Sequence, residues 1–241
     1  MTLRVDTLGL TLSRPGLPPV TALDSVSFAL ERGEILGVSG SSGAGKSLVA
    51  AALAGALPRG AQPFGKITVD GARPGARDIA LAPQRLDALD PLAPLGRQIR
   101  RLGGRRSDPR TELERVGLSA ALTRAYPHML SGGMARRALL ATALARGADW
   151  LVADEPTVGL DASAADHVMA LLGDLARERR GLVVISHDLP RLAGLADRIL
   201  ILRHGRPEEV APAAAFAGDG SALTSPFARD LWRAQLPETA C

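Results

Sequence analysis

The sequence has 241 residues, of which 46% are hydrophobic and 22% are charged. This length and composition exclude general disorder and predict one α/β domain with room for a small subdomain. The longest uncharged stretch, 47–58, is far shorter than the roughly 20 residues of a membrane-spanning helix. Arg4 and Asp6 interrupt the region where a secretion signal would lie, and the one cysteine, Cys241, permits no internal disulfide. We therefore expect a soluble cytosolic protein.

The net charge of +4 is carried almost entirely by arginine, because Lys46 and Lys66 are the only lysines among 29 basic residues. The densest arginine run contains Arg97, Arg100, Arg101, Arg105, Arg106 and Arg110. Such a run is either a patch for nucleic acid or anionic membrane, or a solvated helical face. The run has no aromatic residue that would stack on a base. We favour the solvated face and predict no nucleic-acid partner.

Short apolar runs alternate with longer helical patterns along the chain, which is typical of a sheet flanked by helices. The predicted strands lie over 34–38, 67–69, 79–81, 150–153, 182–185 and 199–202. Most are apolar at every position, which indicates burial on both faces, as in a parallel sheet. The segment 91–130 lacks strand patterns and is broken by proline and glycine, which predicts a small helical insert. The segment 211–220 is predicted to be a loose connector.

A glycine-rich segment at 40–47 fits the phosphate-loop pattern G-x-x-x-x-G-K-[ST] without a gap. It lies between a predicted strand and a predicted helix, where backbone N–H groups and the helix N-terminus face a polyphosphate. Lys46 would reach the β- and γ-phosphates of a nucleoside triphosphate, and the Ser47 hydroxyl would bind Mg²⁺. The alternative is a glycine turn with an exposed lysine. The predicted binding residues are Gly40, Ser41, Ser42, Gly43, Ala44, Gly45, Lys46 and Ser47.

The predicted strand 150–153 ends in two carboxylates, Asp154 and Glu155. At the carboxyl end of a strand beside the phosphate loop, Asp154 would hold Mg²⁺, and Glu155 would polarise a water for attack on the γ-phosphate. The acidic pair alone is also compatible with a helix N-cap before Pro156. The phosphate loop makes the catalytic interpretation the better one.

The segment 130–134, Leu-Ser-Gly-Gly-Met, precedes an apolar helical pattern. Two interpretations of Ser131 are open. It is a good N-cap for that helix. With Gly132 and Gly133 it is also a candidate anion site, in which the hydroxyl and the glycine N–H groups face a phosphate.

The order of the motifs carries a family resemblance. After the phosphate loop come Gln84, the Ser131 segment, the acidic pair, the segment 159–161 (Gly-Leu-Asp) and His187. In this order residues 30–205 resemble the ATP-binding subunit of ABC transporters. The family's phosphate loop, Q-loop, signature, Walker B motif, D-loop and switch histidine follow one another in the same way.

The resemblance implies that two ATPase chains pair head to tail, with each ATP between the phosphate loop of one chain and the signature of the other. The three signature residues would then contact ATP bound on the partner. Gln84 would touch Mg²⁺ and the attacking water, Asp161 would bridge the dimer, and His187 would hydrogen-bond the γ-phosphate. Without the family pattern, His187 would be interpreted as a packed core histidine.

The implied fold is an α/β P-loop NTPase core of the ABC type, with a small α-helical subdomain and an N-terminal antiparallel β region. Residues 1–84 and 131–210 would form the core, 85–130 the helical subdomain and 211–241 a C-terminal tail. The implied cofactors are ATP and Mg²⁺. The implied partners are two transmembrane permease subunits, a second homologous ATPase and, indirectly, an extracytoplasmic substrate-binding protein. The chain would lie peripherally at the cytoplasmic face of the cell membrane.

Four features resemble the peptide and nickel importers within this family: the tail 225–237, the segment 88–91, the segment 126–128 (Tyr-Pro-His) before the signature, and Met134 in the signature. In that subfamily an S-G-G-M chain pairs with an S-G-G-Q chain, which implies a heterodimer. The tail is otherwise an ordinary amphipathic helix. The end of the sequence at Cys241, without a cysteine-containing extension, and the start of the predicted helix at 46–48 favour uptake of nickel or a metal chelate. The alternative is uptake of dipeptides or oligopeptides.

Two other classes of protein remain as alternatives: a non-transport ABC ATPase that acts on nucleic acid or cluster assembly, and a P-loop kinase. The four histidines of the chain are scattered, which argues against a metal site made from them. The adenine contact departs from the family, because no aromatic residue precedes Phe28. Arg14 is the candidate to stack on adenine instead.

Overall fold

A computed structural model describes residues 1–13, 15–104 and 107–236. Arg14, the candidate adenine contact, lies outside the described residues, as do Arg105, Arg106 and Cys241. The strands, in chain order, are β1 (Thr2–Leu12), β2 (Val20–Glu31), β3 (Ile35–Gly40), β4 (Ala61–Val69), β5 (Ile79–Ala82), β6 (Trp150–Asp154), β7 (Gly181–Ile185), β8 (Arg198–Arg203) and β9 (Arg206–Pro212). The α-helices are α1 (Lys46–Leu53), α2 (Leu95–Gly103), α3 (Pro109–Arg115), α4 (Gly132–Ala145), α5 (Ala162–Arg177), α6 (Leu189–Ala193) and α7 (Pro226–Arg233).

The strands form two sheets. β1 pairs antiparallel with β2 on one side and with β4 on the other, which confirms the predicted N-terminal antiparallel region. The second sheet has the order β5-β6-β7-β3-β8-β9. Its first five strands are parallel, and only the edge strand β9 is antiparallel. Every residue of β3, β6 and β7 is buried, as expected for parallel strands covered on both faces.

Each face of the six-stranded sheet has its own apolar core. On one face Leu36 and Val38 pack in a cluster with Val49 of α1 and with Leu3 and Leu10 of the antiparallel sheet. On the other face a larger cluster joins the sheet to α4, α5 and the helical region. The phosphate-loop segment is thereby fixed between a buried strand and a helix that is packed on one side.

The region between β5 and α4 contains α2, α3 and short 3₁₀ segments, and no strand lies within its described residues. Leu95 and Ile99 on α2 are fully buried, whereas the described arginines of the dense run are exposed. The structure therefore favours a solvated arginine face for the part of the run that it describes.

The C-terminal segment packs against the larger core. Trp232 of α7 is buried, contacts Phe216 edge to face, and donates its Nε1 hydrogen to the carbonyl oxygen of Gly218 at 3.0 Å. The predicted loose connector at 211–220 is partly wrong, because β9 continues to Pro212 through antiparallel pairing with β8. Pairing with a distant strand, which local sequence does not report, extends the ordered segment.

Candidate active site

The phosphate-loop segment joins the end of β3 to the start of α1, as predicted. Gly40 and Gly45 have φ angles of 145° and 96°, which favour glycine. A Cβ atom on Gly40 would also clash with the carbonyl oxygen of Leu202 on β8. This backbone path therefore requires glycine, and it places Lys46 at the first turn of α1.

The Lys46 ammonium group lies inside the loop. Its Nζ donates to the carbonyl oxygens of Gly40 and Ser41, at 2.8 and 3.0 Å. Partial burial lowers the pKa of Lys46, and the negative charges of Glu155 and Asp154 oppose that shift. The carboxylates thus help to keep a positive charge at the loop, where it attracts phosphate oxygens.

A cavity of about 590 Å³ opens beside the loop. Besides the loop residues, its lining includes Gln84, Glu155 and His187. These three side chains follow β5, β6 and β7, which are neighbours in the sheet. The fold therefore brings together the phosphate loop and three of the polar residues that the sequence predicted, from four distant segments of the chain.

Asp154 is 5% exposed, and its Oδ1 has no hydrogen-bond partner among the described residues. Burial is the main cause that raises the pKa of this carboxyl group, with a further contribution from the charge of Glu155. The Ser47 hydroxyl, which hydrogen-bonds the carboxylate, and the charges of Lys46 and Arg136 oppose the shift. A buried carboxylate oxygen without a partner beside a hydroxyl is a set of donors that suits Mg²⁺.

The described residues contain no cluster of three or more His, Cys, Asp or Glu side chains that would hold a metal ion. Asp154 and Ser47 therefore supply only part of an octahedral oxygen shell. A Mg²⁺ ion here would take its other ligands from phosphate oxygens and water, as Mg²⁺ usually does in nucleotide sites.

Glu155 adopts a left-handed backbone with φ of 52°, an arrangement that costs a non-glycine residue about 1–2 kcal/mol. The residue is 6% exposed. Its N–H donates to the carbonyl oxygen of Ile185 at 2.9 Å, and its Oε2 lies 2.9 Å from Nδ1 of His187. Strained residues held by several contacts are typical of active sites, which favours the catalytic interpretation over a simple N-cap.

His187 follows β7, and its side chain is 67% exposed. This exposure excludes the alternative of a packed core histidine. Nδ1 of the ring lies within hydrogen-bonding distance of the Glu155 carboxylate, and the His187 side chain also lines the cavity. It is therefore placed to contact a phosphate group and to orient Glu155.

The signature and D-loop residues lie outside the lining of this cavity. Ser131 caps α4, because its Oγ accepts a hydrogen bond from the Met134 N–H at 3.2 Å. Asp161 caps α5 by accepting from the Ala164 N–H at 2.9 Å. Gly132 lies beside open space, since an added Cβ would meet no atom within 4 Å. The capping interpretation of Ser131 is thus observed, and the contact with ATP on a partner stays a prediction.

Arg136, which none of the sequence motifs indicates, lies one turn into α4. Its Nη1 donates to the carbonyl oxygens of Glu155 and Gln84, at 3.0 and 3.2 Å. The available indication was a pair of adjacent arginines, Arg136 and Arg137, in an otherwise apolar helical pattern. A second missed contact links the tail to the site, because Gln235 Oε1 accepts from the N–H of Leu189, two residues after His187.

The family profile described as ABC transporter matches residues 23–158, which is more than half of the chain. The chain belongs to this family. It is 33% identical over 236 residues to the oligopeptide transport ATP-binding protein of Salmonella typhimurium, covering 86% of the chain and 69% of the relative. It is 32% identical over 247 residues to the dipeptide transport ATP-binding protein of Escherichia coli, covering 92% and 74%.

Some relatives are much longer than this ABC family chain. The chain is 35% identical over 235 residues to the oligopeptide transport ATP-binding protein of Mycobacterium tuberculosis, but the chain spans only 38% of that protein's length. Among solved structures, a dimeric ATP-binding cassette in a post-hydrolysis state with ADP and Pi has a TM-score of 0.77 at 24% identity, covering 88% of this chain and 98% of that one. The likeness confirms the predicted ABC ATPase fold.

The preference for nickel or metal-chelate uptake gains no support from these comparisons. The relatives carry names for oligopeptide, dipeptide and di/tripeptide transport, so the peptide alternative fits better. In the described part of this ABC chain, every helix falls short of the length and apolar character needed to span a bilayer.

The Asp154→Asn variant separates stability from metal binding. Burial raises the pKa of the Asp154 carboxyl group in the folded protein. At any pH above the pKa that this group has in the unfolded chain, the charged carboxylate therefore destabilises the fold. We expect the variant to raise the free energy of unfolding without nucleotide by about 1 kcal/mol near neutral pH. The gain should vanish in acid, where Asp154 is protonated in both states.

Urea unfolding at several pH values, with and without Mg²⁺ and ATP, measures this effect. Asp230→Asn, at an exposed aspartate on α7, is the control. A variant that is less stable than the wild type at neutral pH, or that keeps full Mg²⁺-dependent ATP stabilisation, would contradict the assignment.

Proposed function

We propose that this chain is the ATP-hydrolysing subunit of an ABC importer that takes up dipeptides or oligopeptides. The observation that carries the proposal is the single cavity in which the phosphate loop meets Gln84, Glu155 and His187, beside the unpartnered carboxylate oxygen of Asp154. The names of the relatives support peptides as the cargo. A peripheral position at the cytoplasmic face of the membrane, next to permease subunits, follows from the same proposal.

The loop would bind the triphosphate through its inward backbone N–H groups, the N-terminus of α1 and the Lys46 ammonium group. Bound Mg²⁺ would neutralise the negative charge that develops on the phosphate groups. Ser47 and Asp154 would hold it. Asp154 lies at the end of the fully buried strand β6, so its carboxylate needs little reorganisation when the metal ion binds.

Glu155 would act as the general base. Its buried carboxylate would accept a proton from a water molecule whose oxygen bonds to the γ-phosphorus. The bond from that phosphorus to the bridging oxygen breaks, and ADP and phosphate result. His187, paired with Glu155 through Nδ1, would hold the carboxylate and contact the γ-phosphate, while Gln84 would orient the water.

A second ATPase chain would complete the site. Ser131, Gly132 and Gly133 do not line this chain's own cavity, which suits a role in contacting ATP bound on a partner. Asp161 would lie at the same dimer interface. Met134 in the signature supports a heterodimer with a homologous subunit.

Uptake assays in a deletion strain test the cargo. The strain would be complemented with the wild-type gene or with a Glu155→Gln gene, and given radiolabelled dipeptide, oligopeptide or nickel. We expect peptide uptake with the wild type alone and no dependence of nickel uptake on the gene. Gene-dependent nickel uptake without peptide uptake would overturn the peptide proposal and restore the nickel alternative.

The Ser131→Ala variant tests the proposed dimer contact. Loss of the cap should cost about 1 kcal/mol of stability, and loss of a phosphate contact should lower ATP turnover in the assembled complex by about tenfold. Ser119→Ala is a matched control, since Ser119 caps a short 3₁₀ segment by accepting from the Ala121 N–H. ATP turnover and thermal unfolding would be measured for both. Equal turnover in the two variants would mean that Ser131 is only a cap.

A further inference from the structure

Arg136 joins three segments of the site. It lies five residues after Ser131 on α4, and its side chain is partly buried. One nitrogen, Nη1, donates to the carbonyl oxygen of Glu155 at 3.0 Å and to that of Gln84 at 3.2 Å. Glu155 directly follows β6, and Gln84 lies two residues after the neighbouring strand β5. A single guanidinium group therefore connects the helix that carries the signature to both loops.

The contact bears directly on the position of the Glu155 carboxylate. With φ at 52°, this residue relies on its surroundings to hold an uncommon backbone conformation. The N–H is fixed by Ile185 and the carboxylate meets His187. The carbonyl oxygen accepts from Arg136 Nη1 at 3.0 Å and from the Val158 N–H at 3.4 Å. Loss of the Arg136 donor removes the shorter of these two hydrogen bonds, so the backbone of Glu155 is held less firmly and the Cα–Cβ bond that carries the carboxylate can shift.

We infer that Arg136 is a positioning residue that holds the Glu155 carboxylate and the Gln84 side chain in one fixed arrangement. The inference rests on the proposed function, in which both side chains act on the attacking water. Arg136 does not line the cavity, so it acts through the two backbone carbonyls and not on the nucleotide. Burial raises the pKa of the neighbouring Asp154, and the positive charge of Arg136 is one of the causes that oppose this shift.

The first test measures ATP turnover by the full chain in the assembled complex. Arg136→Met removes the donors but keeps much of the apolar stem. We expect kcat to fall about tenfold or more, because small misplacements of catalytic groups are costly, while the KM for ATP changes less than about threefold, as expected when binding contacts are intact. Arg136→Lys should restore part of kcat, since an ammonium group also has hydrogens for two carbonyl oxygens.

Arg146→Met is the matched control. Arg146 lies at the end of the same helix, and its Nη2 donates to the carbonyl oxygen of Ala76 at 2.7 Å, away from the cavity. The control should keep wild-type kcat. If Arg136→Met does not fold, Arg136→Gln replaces it, because glutamine suits a helix but is too short to reach both carbonyls. A kcat within about twofold of wild type in the folded variant, a difference below about 0.4 kcal/mol, overturns the inference.

A double variant tests whether Arg136 acts through Glu155. In a Glu155→Gln background, Arg136→Met should cause a much smaller fold loss of the residual kcat than in the wild type, because only the positioning of Gln84 remains to be lost. A further loss as large as that seen in the wild-type background would mean that Arg136 acts independently of Glu155, and would overturn the inference.

Hydrogen–deuterium exchange of the full chain without nucleotide supplies a readout that does not require hydrolysis. Arg136→Met should speed exchange in peptides covering 84–88 and 155–158, and Arg146→Met should leave them unchanged. Faster exchange at these loops in a wild-type-like fold that shows no ATP turnover in any form would support the contact and reject the proposed function. Unchanged exchange at both loops would overturn the inference.

Discussion

Glu155→Gln should retain ATP binding and lose at least about a hundredfold of steady-state ATP turnover, the usual size of a general-base contribution. The amide has nearly the shape of the carboxylate but accepts no proton from water. The phosphate loop, Lys46 and Asp154 are untouched, so the triphosphate remains bound. The site should therefore accumulate ATP in place of ADP and phosphate.

Nucleotide affinity and ATP turnover would be measured on the full complex. Glu114→Gln, at an exposed glutamate on α3, is the control and should behave as the wild type. Normal turnover by the Glu155→Gln complex would show that another group takes the proton. Loss of ATP affinity together with turnover would mean that the variant damages the binding site and that Glu155 is not specifically a base.

Lys46→Ala should weaken ATP binding by about ten- to a hundredfold, since hydrogen bonds to a charged group contribute roughly 1.5–3 kcal/mol. The loss has two parts. The phosphates lose a cationic donor, and the Gly40 and Ser41 carbonyls lose the ammonium group that now bridges them. The buried carboxylates Asp154 and Glu155 also lose a nearby positive charge.

The chain offers a matched control in Lys66→Ala, because Lys66 is the other lysine of the sequence and is exposed on β4. Equilibrium binding of a fluorescent ATP analogue, with and without Mg²⁺, measures both variants. Equal affinities in Lys46→Ala and the wild type would contradict the assignment of the phosphate loop.

The contiguous motifs were predictable because their chemistry depends on neighbours in sequence. The phosphate loop requires glycines and a lysine at fixed spacing. The buried strand that ends at Asp154 is predicted by its run of apolar residues. Gln84 and His187 are single residues without a local pattern. Only the order of motifs in a family pointed to them, and the structure then placed both on the wall of the cavity.

Other features could not be predicted because they arise from contacts between distant residues. β4 begins at Ala61, six residues before the predicted strand at 67–69, because its exposed first half is held by pairing with β1. The tail contact from Gln235 to Leu189 spans 46 residues. No feature of the local sequence encodes either pairing.

By itself, the sequence determined the ABC family and the types of residue at the nucleotide site, because those depend on local spacing and apolar runs. Only the tertiary structure decided the strand order of the sheet, the pairing of His187 with Glu155 and the bridge from Arg136 to two loops. These depend on which strands lie side by side. The hydrogen bonds of Arg136 and His187 join residues that are 19 to 52 positions apart in the chain. Contacts over such separations leave no periodic pattern in the sequence.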